Sequence, residues 1–305
     1  MFRILAGEAL VLAVLATVAT DLGAHRRVET QGGLNIRGYR GPVAHQRQPN
    51  ELRVVFVGGT RAFGWGEPAS GTTVAAVRFE LSRVLDRPHR PLQPIVAINL
   101  GQLGAPPESY PSTLAHFAYL RPDYIGIFDD LGDAGPNRPF DASGIFEWTG
   151  YQPMLPLVLY EKGAVMRAHT LGVAVQYVGR TLAAADRALA RIAGVKDEAP
   201  PSASSSDAYA AAMMTAIAAA HQQAKGVAVV LGPVDSAQQR RNRRALSGRL
   251  AEKRGARWLR VVDLSEQAEL YNPLLRLDAF SFGANASGIA GRAIAPAFLD
   301  LISPR

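Results

Sequence analysis

Short apolar runs that end near glycine alternate with longer amphipathic stretches over most of the chain. The short runs predict buried strands, and the stretches with apolar positions three or four residues apart predict helices. The predicted strands are 52–57, 95–100, 124–128, 227–231 and 258–262. The predicted helices cover about 72–85, 108–120, 207–224, 237–254 and 286–302. This alternation indicates an α/β fold, a five-stranded doubly wound parallel sheet in a three-layer α/β/α arrangement.

The N-terminus does not fit this pattern. Residues 2–22 are strongly apolar and are interrupted only by Arg3, Glu8 and Asp21. Counted through Glu8, the segment approaches the length that crosses a bilayer. We therefore expect residues 1–24 to be an uncleaved N-terminal membrane anchor, a single transmembrane helix that contacts the lipid bilayer through residues 2–22.

The rest of the chain divides by composition. Residues 25–50 are polar, contain glycine and lack periodicity, so we expect a tether. Residues 51–305 hold all predicted strands and form one domain, with a helical insertion at about 134–206. A chain of 305 residues is long enough for such a domain with accessory segments.

Composition restricts the chemistry. The chain has no cysteine, which excludes disulfides and thiolate catalysis. Its formal net charge is +7 and its sequence pI is about 9.9. Much of this excess lies on and just after the predicted helix 237–254, at Arg240, Arg241, Arg243, Arg244, Arg249, Lys253, Arg254, Arg257 and Arg260. These charges form either a solvated helix face or a contact for lipid headgroups or an acidic partner. No nucleic-acid-binding motif accompanies them, so we expect no nucleic acid partner.

A glycine turn follows the first predicted strand. Residues 57–66 read Val-Gly-Gly-Thr-Arg-Ala-Phe-Gly-Trp-Gly, so the strand breaks at Gly58 and Gly59. A side chain directly after such a break lies at the carboxyl edge of a parallel sheet, where α/β proteins place their chemistry. Thr60 is the side chain in that position.

Five blocks near the predicted strand ends resemble the SGNH/GDSL hydrolase family over about residues 35–302. They are 35–42 (NIRGYRGP), 57–66, 99–101 (NLG), 128–133 (FDDLGD) and 277–282 (LDAFSF). The second block is similar to a nucleophile block Gly-Gly-Ser-x-Thr-Phe-Gly-x-Gly, and the third to a block whose glycine amide helps to bind the oxyanion. The fourth and fifth stand where the family has Gly-x-Asn-Asp and Asp-x-x-His. The resemblance implies the SGNH type of the flavodoxin-like sheet.

The same resemblance implies that catalysis is lost. Thr60 stands at the position of the nucleophilic serine, Ser281 at the histidine that takes its proton, and Gly132 at the oxyanion asparagine. Only Gly101 and Asp278 match the family. Loss of one oxyanion donor typically reduces the rate by about 10²–10³, and loss of the base by about 10⁴–10⁶. We expect none of these five positions to be active, so the chain is predicted to be a pseudoenzyme.

Other candidate groups have simpler explanations. Six histidines could replace the missing base, at positions 25, 45, 89, 116, 169 and 221. Only His169, in the insertion, is expected where a segment could fold over the strand ends. Asp129, Asp130 and Asp133 suggest either a cation site or loop hydrogen bonds. The Gly-Gly-Thr turn lacks the lysine of a phosphate loop, and we expect neither a cofactor nor a bound metal.

These observations favour a non-catalytic SGNH-like accessory or scaffolding subunit that is anchored in a membrane and binds a membrane protein complex. An active esterase or O-acyltransferase with rearranged catalytic residues is one alternative, and a carbohydrate-binding pseudoenzyme is another. The positive-inside rule alone would place the domain in the cytoplasm. The resemblance instead implies a periplasmic or other extracytoplasmic domain on a single-pass anchor.

Overall fold

A computed structural model describes residues 2–31, 33–85, 94–129, 131, 145, 151, 153–155, 159, 205–253, 255–277 and 281–303. The chain divides into two compact units. The first unit comprises residues 1–38 and 139–199, and the second comprises residues 39–138 and 200–305. The second unit contains all five strands.

The second unit is built on a parallel sheet of β1 (Leu52–Gly58), β2 (Ile95–Asn99), β3 (Tyr124–Asp129), β4 (Gly226–Leu231) and β5 (Leu259–Asp263). All four neighbouring pairs are parallel, and the order is β2-β1-β3-β4-β5. The doubly wound sheet predicted from the sequence is confirmed, with every strand within one residue of its predicted ends. The chain leaves β1 in one direction for β2 and returns on its other side as β3. The crevice between the carboxyl ends of β1 and β3 is therefore the topological switch point, where such sheets bind ligands.

Helices cover both faces of this sheet. Helix α1 (Phe2–Gln31) belongs to the first unit, and the described α-helices of the second unit are α2 (Thr60–Phe63), α3 (Thr73–Leu85), α4 (Tyr110–His116), α5 (Ser206–Gln223), α6 (Ala237–Ala251) and α7 (Ala284–Ile302). On one face α3 packs against α7, and on the other α5 packs against α6. The predicted helix 108–120 is shorter than expected, since α4 is flanked by the 3-10 turns Pro107–Ser109 and Ala118–Leu120.

The core explains why the strands read as continuous apolar runs. Every residue of β1 is buried, because alternate side chains face the two helical layers. Phe56 packs in one cluster with Val77 of α3 and with Phe298 of α7. The two helices approach so closely that a Cβ at Gly291 would lie 2.4 Å from the Ala76 Cβ, so this position requires glycine.

Part of the segment expected as a tether is packed. Helix α1 continues to Gln31, so residues 25–31 are helical. Tyr39 is buried edge-on against Phe117, with ring centroids 5.7 Å apart. The backbone amide of Arg40 donates to the Asn99 carbonyl at 2.9 Å, which extends the sheet edge by one bridge.

A buried ionic cluster closes the amino-terminal edge of the sheet. The Asp123 carboxylate accepts hydrogen bonds from the Arg53 amide (3.0 Å), from Arg47 (2.7 Å) and from Lys225 (3.0 Å). Burial opposes ionisation of Asp123, but these donors outweigh it and lower its pKa. Glu51 is likewise buried, and its hydrogen bonds from Arg53 and from a backbone amide lower its pKa against the effect of burial. This cluster lies at the edge opposite to Thr60.

In the first unit, α1 carries a buried acid. Asp21 accepts hydrogen bonds from the Tyr151 hydroxyl and from the backbone amides of Met154 (2.9 Å) and Leu155. Residues 151, 154 and 155 of the predicted insertion therefore contact α1. Across the ranges that the structure describes, no helix combines the length and the apolar character needed to cross a membrane.

Candidate functional site

The turn after β1 is held tightly against β3. A Cβ at Gly58 would lie 1.9 Å from the Phe128 carbonyl oxygen, so only glycine fits there. The Gly59 amide then donates to that same carbonyl at 3.3 Å. The chain passes directly into α2, which ends at Gly64 in the left-handed region (φ 74°). Thr60, the first residue of α2, therefore lies at the carboxyl edge of the sheet, as its position in the sequence predicted.

Thr60 is engaged inside the protein. It is 1% exposed, and its Oγ1 accepts a hydrogen bond from the Gly104 amide at 3.1 Å. No carboxylate or imidazole of the described part of the chain is hydrogen-bonded to this hydroxyl. A hydroxyl without an adjacent base is a weak nucleophile, and a buried one does not reach an acyl carbonyl.

The Gly101 amide is also occupied. It donates to Oδ1 of Asn99 at 2.9 Å, and the Nδ2 of the same side chain donates to the Ala62 carbonyl at 2.7 Å. Gly101 lies directly under α2, where a Cβ would come within 2.5 Å of the Phe63 amide nitrogen. An oxyanion donor must point toward the space that the reacting oxygen will occupy. This amide points instead at a neighbouring side chain.

The remaining predicted positions are only partly described. Ser281 is buried, and its carbonyl accepts from the Leu277 amide at 3.0 Å. The adjacent Phe282 forms an antiparallel bridge with Arg276. Gly132 and Asp278 lie outside the described residues.

Arg40 closes the site on the side of α2. It is buried, its guanidinium lies 4.5 Å from the centre of the Phe63 ring, and its Nη2 donates to the Glu67 carbonyl. Burial lowers the pKa of Arg40 to about 10, with the charge of Glu67 acting in the opposite direction. Arg40 therefore remains charged at neutral pH and ties the 35–42 block to the turn that carries Thr60.

A cluster of two arginines and one aspartate joins three carboxyl-end segments. Arg61, 2% exposed, donates to the Pro233 carbonyl (3.0 Å) and to Asp235 (2.7 Å). Arg276 donates to the other oxygen of Asp235 at 2.9 Å. Sequence reasoning missed this cluster. The only signal was an arginine beside a buried strand end, and its partner lies 174 residues away.

The acidic block after β3 is only partly described. Asp129 is buried and accepts from the hydroxyls of Tyr110 (2.6 Å) and Tyr209, and from the Leu131 amide (2.6 Å). The last bond holds Leu131 in a left-handed conformation, with φ of 58°. Of the two roles considered for Asp129 from the sequence, a cation site or a hydrogen-bonding group, these three donors support the second. Asp130 and Asp133 fall among the residues that are not described, and the described ones include no metal-binding group of three His, Cys, Asp or Glu.

Three of the described histidines belong to the second unit, and none of them is hydrogen-bonded to the Thr60 hydroxyl. His45 bonds Glu51 at 3.0 Å beside the amino end of β1. His116 ends α4 next to Phe117, and His221 stacks on Trp258 with ring centroids 3.8 Å apart. His25 belongs to α1 in the first unit. The two further histidines, at positions 89 and 169, lie outside the described residues.

Neither a family model nor a curated protein matches the chain. The solved structures similar to it include a protein described as lipolytic and of the G-D-S-L family, from Desulfitobacterium hafniense DCB-2. Its identity is 11% and its TM-score 0.42, with 81% of this chain and 99% of that chain covered. An alpha/beta hydrolase enzyme from the metagenome of Lake Arreo, Spain, has 14% identity and a TM-score of 0.45, with coverages of 82% and 94%. An acetylxylan esterase from Geobacillus stearothermophilus has 13% identity and a TM-score of 0.42, with coverages of 83% and 95%.

These neighbours include GDSL lipolytic proteins and acetylxylan esterases, the kind of protein that the sequence blocks resemble. The sheet order β2-β1-β3-β4-β5 is that of the flavodoxin-like doubly wound fold, and blocks 57–66 and 99–101 lie at the carboxyl edge of this sheet. At these identities the activities of the neighbours are not carried over to this chain.

Proposed function

We propose that this chain is a non-catalytic, SGNH hydrolase-like accessory or scaffolding subunit. In this proposal it is held at a membrane by its N-terminal segment and binds a membrane protein complex, with the folded domain on the extracytoplasmic side. The main support for a non-catalytic role is that the polar groups of the site are hydrogen-bonded to each other inside the protein. The Thr60 hydroxyl accepts from Gly104, and the Gly101 amide donates to Asn99, so neither group faces a substrate.

Several groups of the site would have to change their hydrogen bonds together before it could catalyse acyl transfer. A working acyl-transfer site needs an accessible nucleophile, a base within hydrogen-bond reach and free oxyanion donors. Here the candidate nucleophile is 1% exposed, and the candidate oxyanion amide has an internal acceptor at 2.9 Å. Exposing both would break buried hydrogen bonds that also hold α2 in place.

Membrane attachment is supported by the surface of α1. Six large apolar side chains of this helix are between 43% and 66% exposed, namely Val11, Leu12, Val14, Leu15, Val18 and Leu22. Most of them recur three or four residues apart, so they form one apolar stripe. Asp21, one of the two acids in this segment, is buried and accepts hydrogen bonds from Tyr151, Met154 and Leu155. An exposed apolar stripe of this kind marks a contact with a membrane or with a partner helix.

The non-catalytic part is tested by labelling with a serine-reactive fluorophosphonate. We expect no labelling of the full chain above that of the Thr60→Ala variant. Labelling that disappears in Thr60→Ala would show an active nucleophile and overturn this part.

The subunit part is tested by gentle detergent extraction of the intact chain from its native membrane. We expect other membrane proteins to co-purify in fixed proportion to it. The double variant Leu15→Lys/Val18→Lys should leave the membrane fraction. Recovery of wild type as a monodisperse monomer without partners would contradict the subunit role.

A further inference from the structure

Helix α6 carries an exposed basic face that the proposed function does not use. Its buried side chains are Gln239, Asn242, Leu246 and Leu250, which form one packed stripe. With 100° between successive residues, Arg240, Arg241 and Arg244 lie on the opposite side, and all three are exposed. We call these three residues the basic face.

The charges of the basic face are not compensated by the protein. Arg243, at the border of the packed stripe, pairs with Asp263 of β5. Among residues that the structure describes, no ion pair includes Arg240, Arg241 or Arg244, and Arg241 has only the amide oxygen of Gln238 as a partner. The 15 residues of α6 include five arginines and no acid.

This arrangement destabilises the helix that carries it. Arg240 and Arg244 are four residues apart and Arg241 and Arg244 are three apart, so like charges are direct neighbours on the helix surface. Arg240 lies in the first turn of α6, where the helix dipole disfavours cations. The solvent-exposed face of an ordinary helix carries both positive and negative side chains. The basic face of α6 carries arginines and no acid, which indicates an anionic partner.

The surroundings of the basic face indicate what kind of partner. The other exposed residues on this side of α6 are small, including Ser247, Gly248 and Ala251, and a Cβ at Gly248 would meet nothing within 4 Å. No large apolar side chain of α6 is exposed. Specific protein interfaces are centred on buried aromatic or aliphatic anchors, which this face lacks. A flat, purely cationic surface instead fits a plane of negative charge, and guanidinium groups pair well with phosphate.

We propose that the basic face of α6 binds the anionic lipid headgroups of a bilayer surface. This deepens the membrane attachment under Proposed function and rests on it for its biological setting. The contact is electrostatic and therefore requires anionic lipid and weakens with salt.

The test uses the absence of cysteine from the chain. A single Ser247→Cys substitution in the full chain carries an environment-sensitive fluorophore on the basic face, and Asn285→Cys on the exposed side of α7 serves as the matched control. Both proteins are titrated with phosphatidylcholine vesicles and with vesicles that contain phosphatidylglycerol as well. Sedimentation with pure phosphatidylcholine vesicles separately reports attachment through α1.

The expected result is a fluorescence change at position 247 with phosphatidylglycerol vesicles only, and none at position 285. The triple variant Arg240→Gln/Arg241→Gln/Arg244→Gln should weaken this response on the order of 100-fold, since each arginine near an anionic surface contributes about fivefold. The matched triple variant Arg78→Gln/Arg83→Gln/Arg292→Gln, with the same charge change on α3 and α7, should keep it.

Three results would overturn the inference. The first is an equal response in both triple variants. The second is no response with anionic vesicles even where the chain sediments with phosphatidylcholine. The third is a response at position 247 to a DNA duplex or to polyglutamate but not to anionic vesicles. A fluorescence change at position 247 with anionic vesicles, without sedimentation on phosphatidylcholine vesicles, would support lipid binding by the basic face. It would contradict membrane attachment through α1.

Discussion

The Asn99 side chain joins two parts of the candidate site, and replacing it by alanine removes its hydrogen bonds to both at once. Its Nδ2 donates to the Ala62 carbonyl at 2.7 Å, and its Oδ1 accepts from the Gly101 amide at 2.9 Å. Both backbone groups are buried, and in Asn99→Ala both would lack a partner. A buried unsatisfied group destabilises the folded state by about 1–3 kcal/mol, so for two groups we expect a loss of about 2–6 kcal/mol in total. Since domains are stable by only about 5–15 kcal/mol, this is a large share.

The assay is urea unfolding of the full chain in mild detergent, followed by far-UV circular dichroism and by intrinsic fluorescence. A lower midpoint with an unchanged slope would report lost stability rather than an altered unfolded state. The control is Asn285→Ala, at an exposed position of α7, which should stay within about 0.5 kcal/mol of wild type. If Asn99→Ala were as stable as Asn285→Ala, the described hydrogen bonds would not hold the site closed.

Three further predictions concern the stability of variants at Gly58, Asp129 and Asp123. Gly58→Ala should not fold stably, because its Cβ would overlap the Phe128 carbonyl at 1.9 Å, whereas Gly248→Ala, in open space on α6, should gain about 0.5–1 kcal/mol in urea unfolding. Asp129→Asn places an amide donor against three donors and should lower the free energy of unfolding by about 2 kcal/mol or more; a smaller loss would contradict the described network. The pKa of Asp123 is lowered by folding, so its contribution is present above its unfolded pKa and is lost as the pH falls through its folded pKa. Stability should therefore decrease in acid, below about pH 4, and Asp123→Asn should have a flatter profile; parallel profiles would refute the assignment.

The sheet was predictable because its central strands β1, β3 and β4 are buried on both faces and are largely apolar, as in the uninterrupted run 227–231. The position of Thr60 was also predictable, since a glycine break after a buried strand has only one place in a parallel sheet. Helix α2 was missed because four residues carry no periodicity. The interruption of the helix predicted at 108–120 was missed as well, since its apolar pattern continues through Phe117 while the backbone turns there.

The bonding of the site could not be read from the sequence. The donor to Thr60 is a backbone amide, that of Gly104, and backbone groups carry no sequence signature. Asn99 was part of a recognised block, but only the structure shows its side chain turned inward onto Gly101. The cluster of Arg61, Asp235 and Arg276 joins loops that are distant in the chain, so no local pattern predicts it.

Close backbone approaches fix the shape of the turn after β1, independently of any chemistry at the site. Gly58 and Gly101 are fixed by close backbone approach, to β3 and to α2 respectively. These approaches stabilise the sheet edge whatever the chemistry there. Under the proposed non-catalytic role, the turn would therefore keep its shape without any selection for catalysis.

The most direct test of the non-catalytic site is the hydrolysis of p-nitrophenyl acetate by the full chain, compared with Thr60→Ala and with the isosteric Thr60→Val. Urea midpoints of the three proteins establish that each is folded at the assay temperature. The account predicts that all three hydrolyse the ester at the same rate, equal to that of a protein blank. A wild-type rate at least tenfold above the blank that is lost in both folded variants would contradict it.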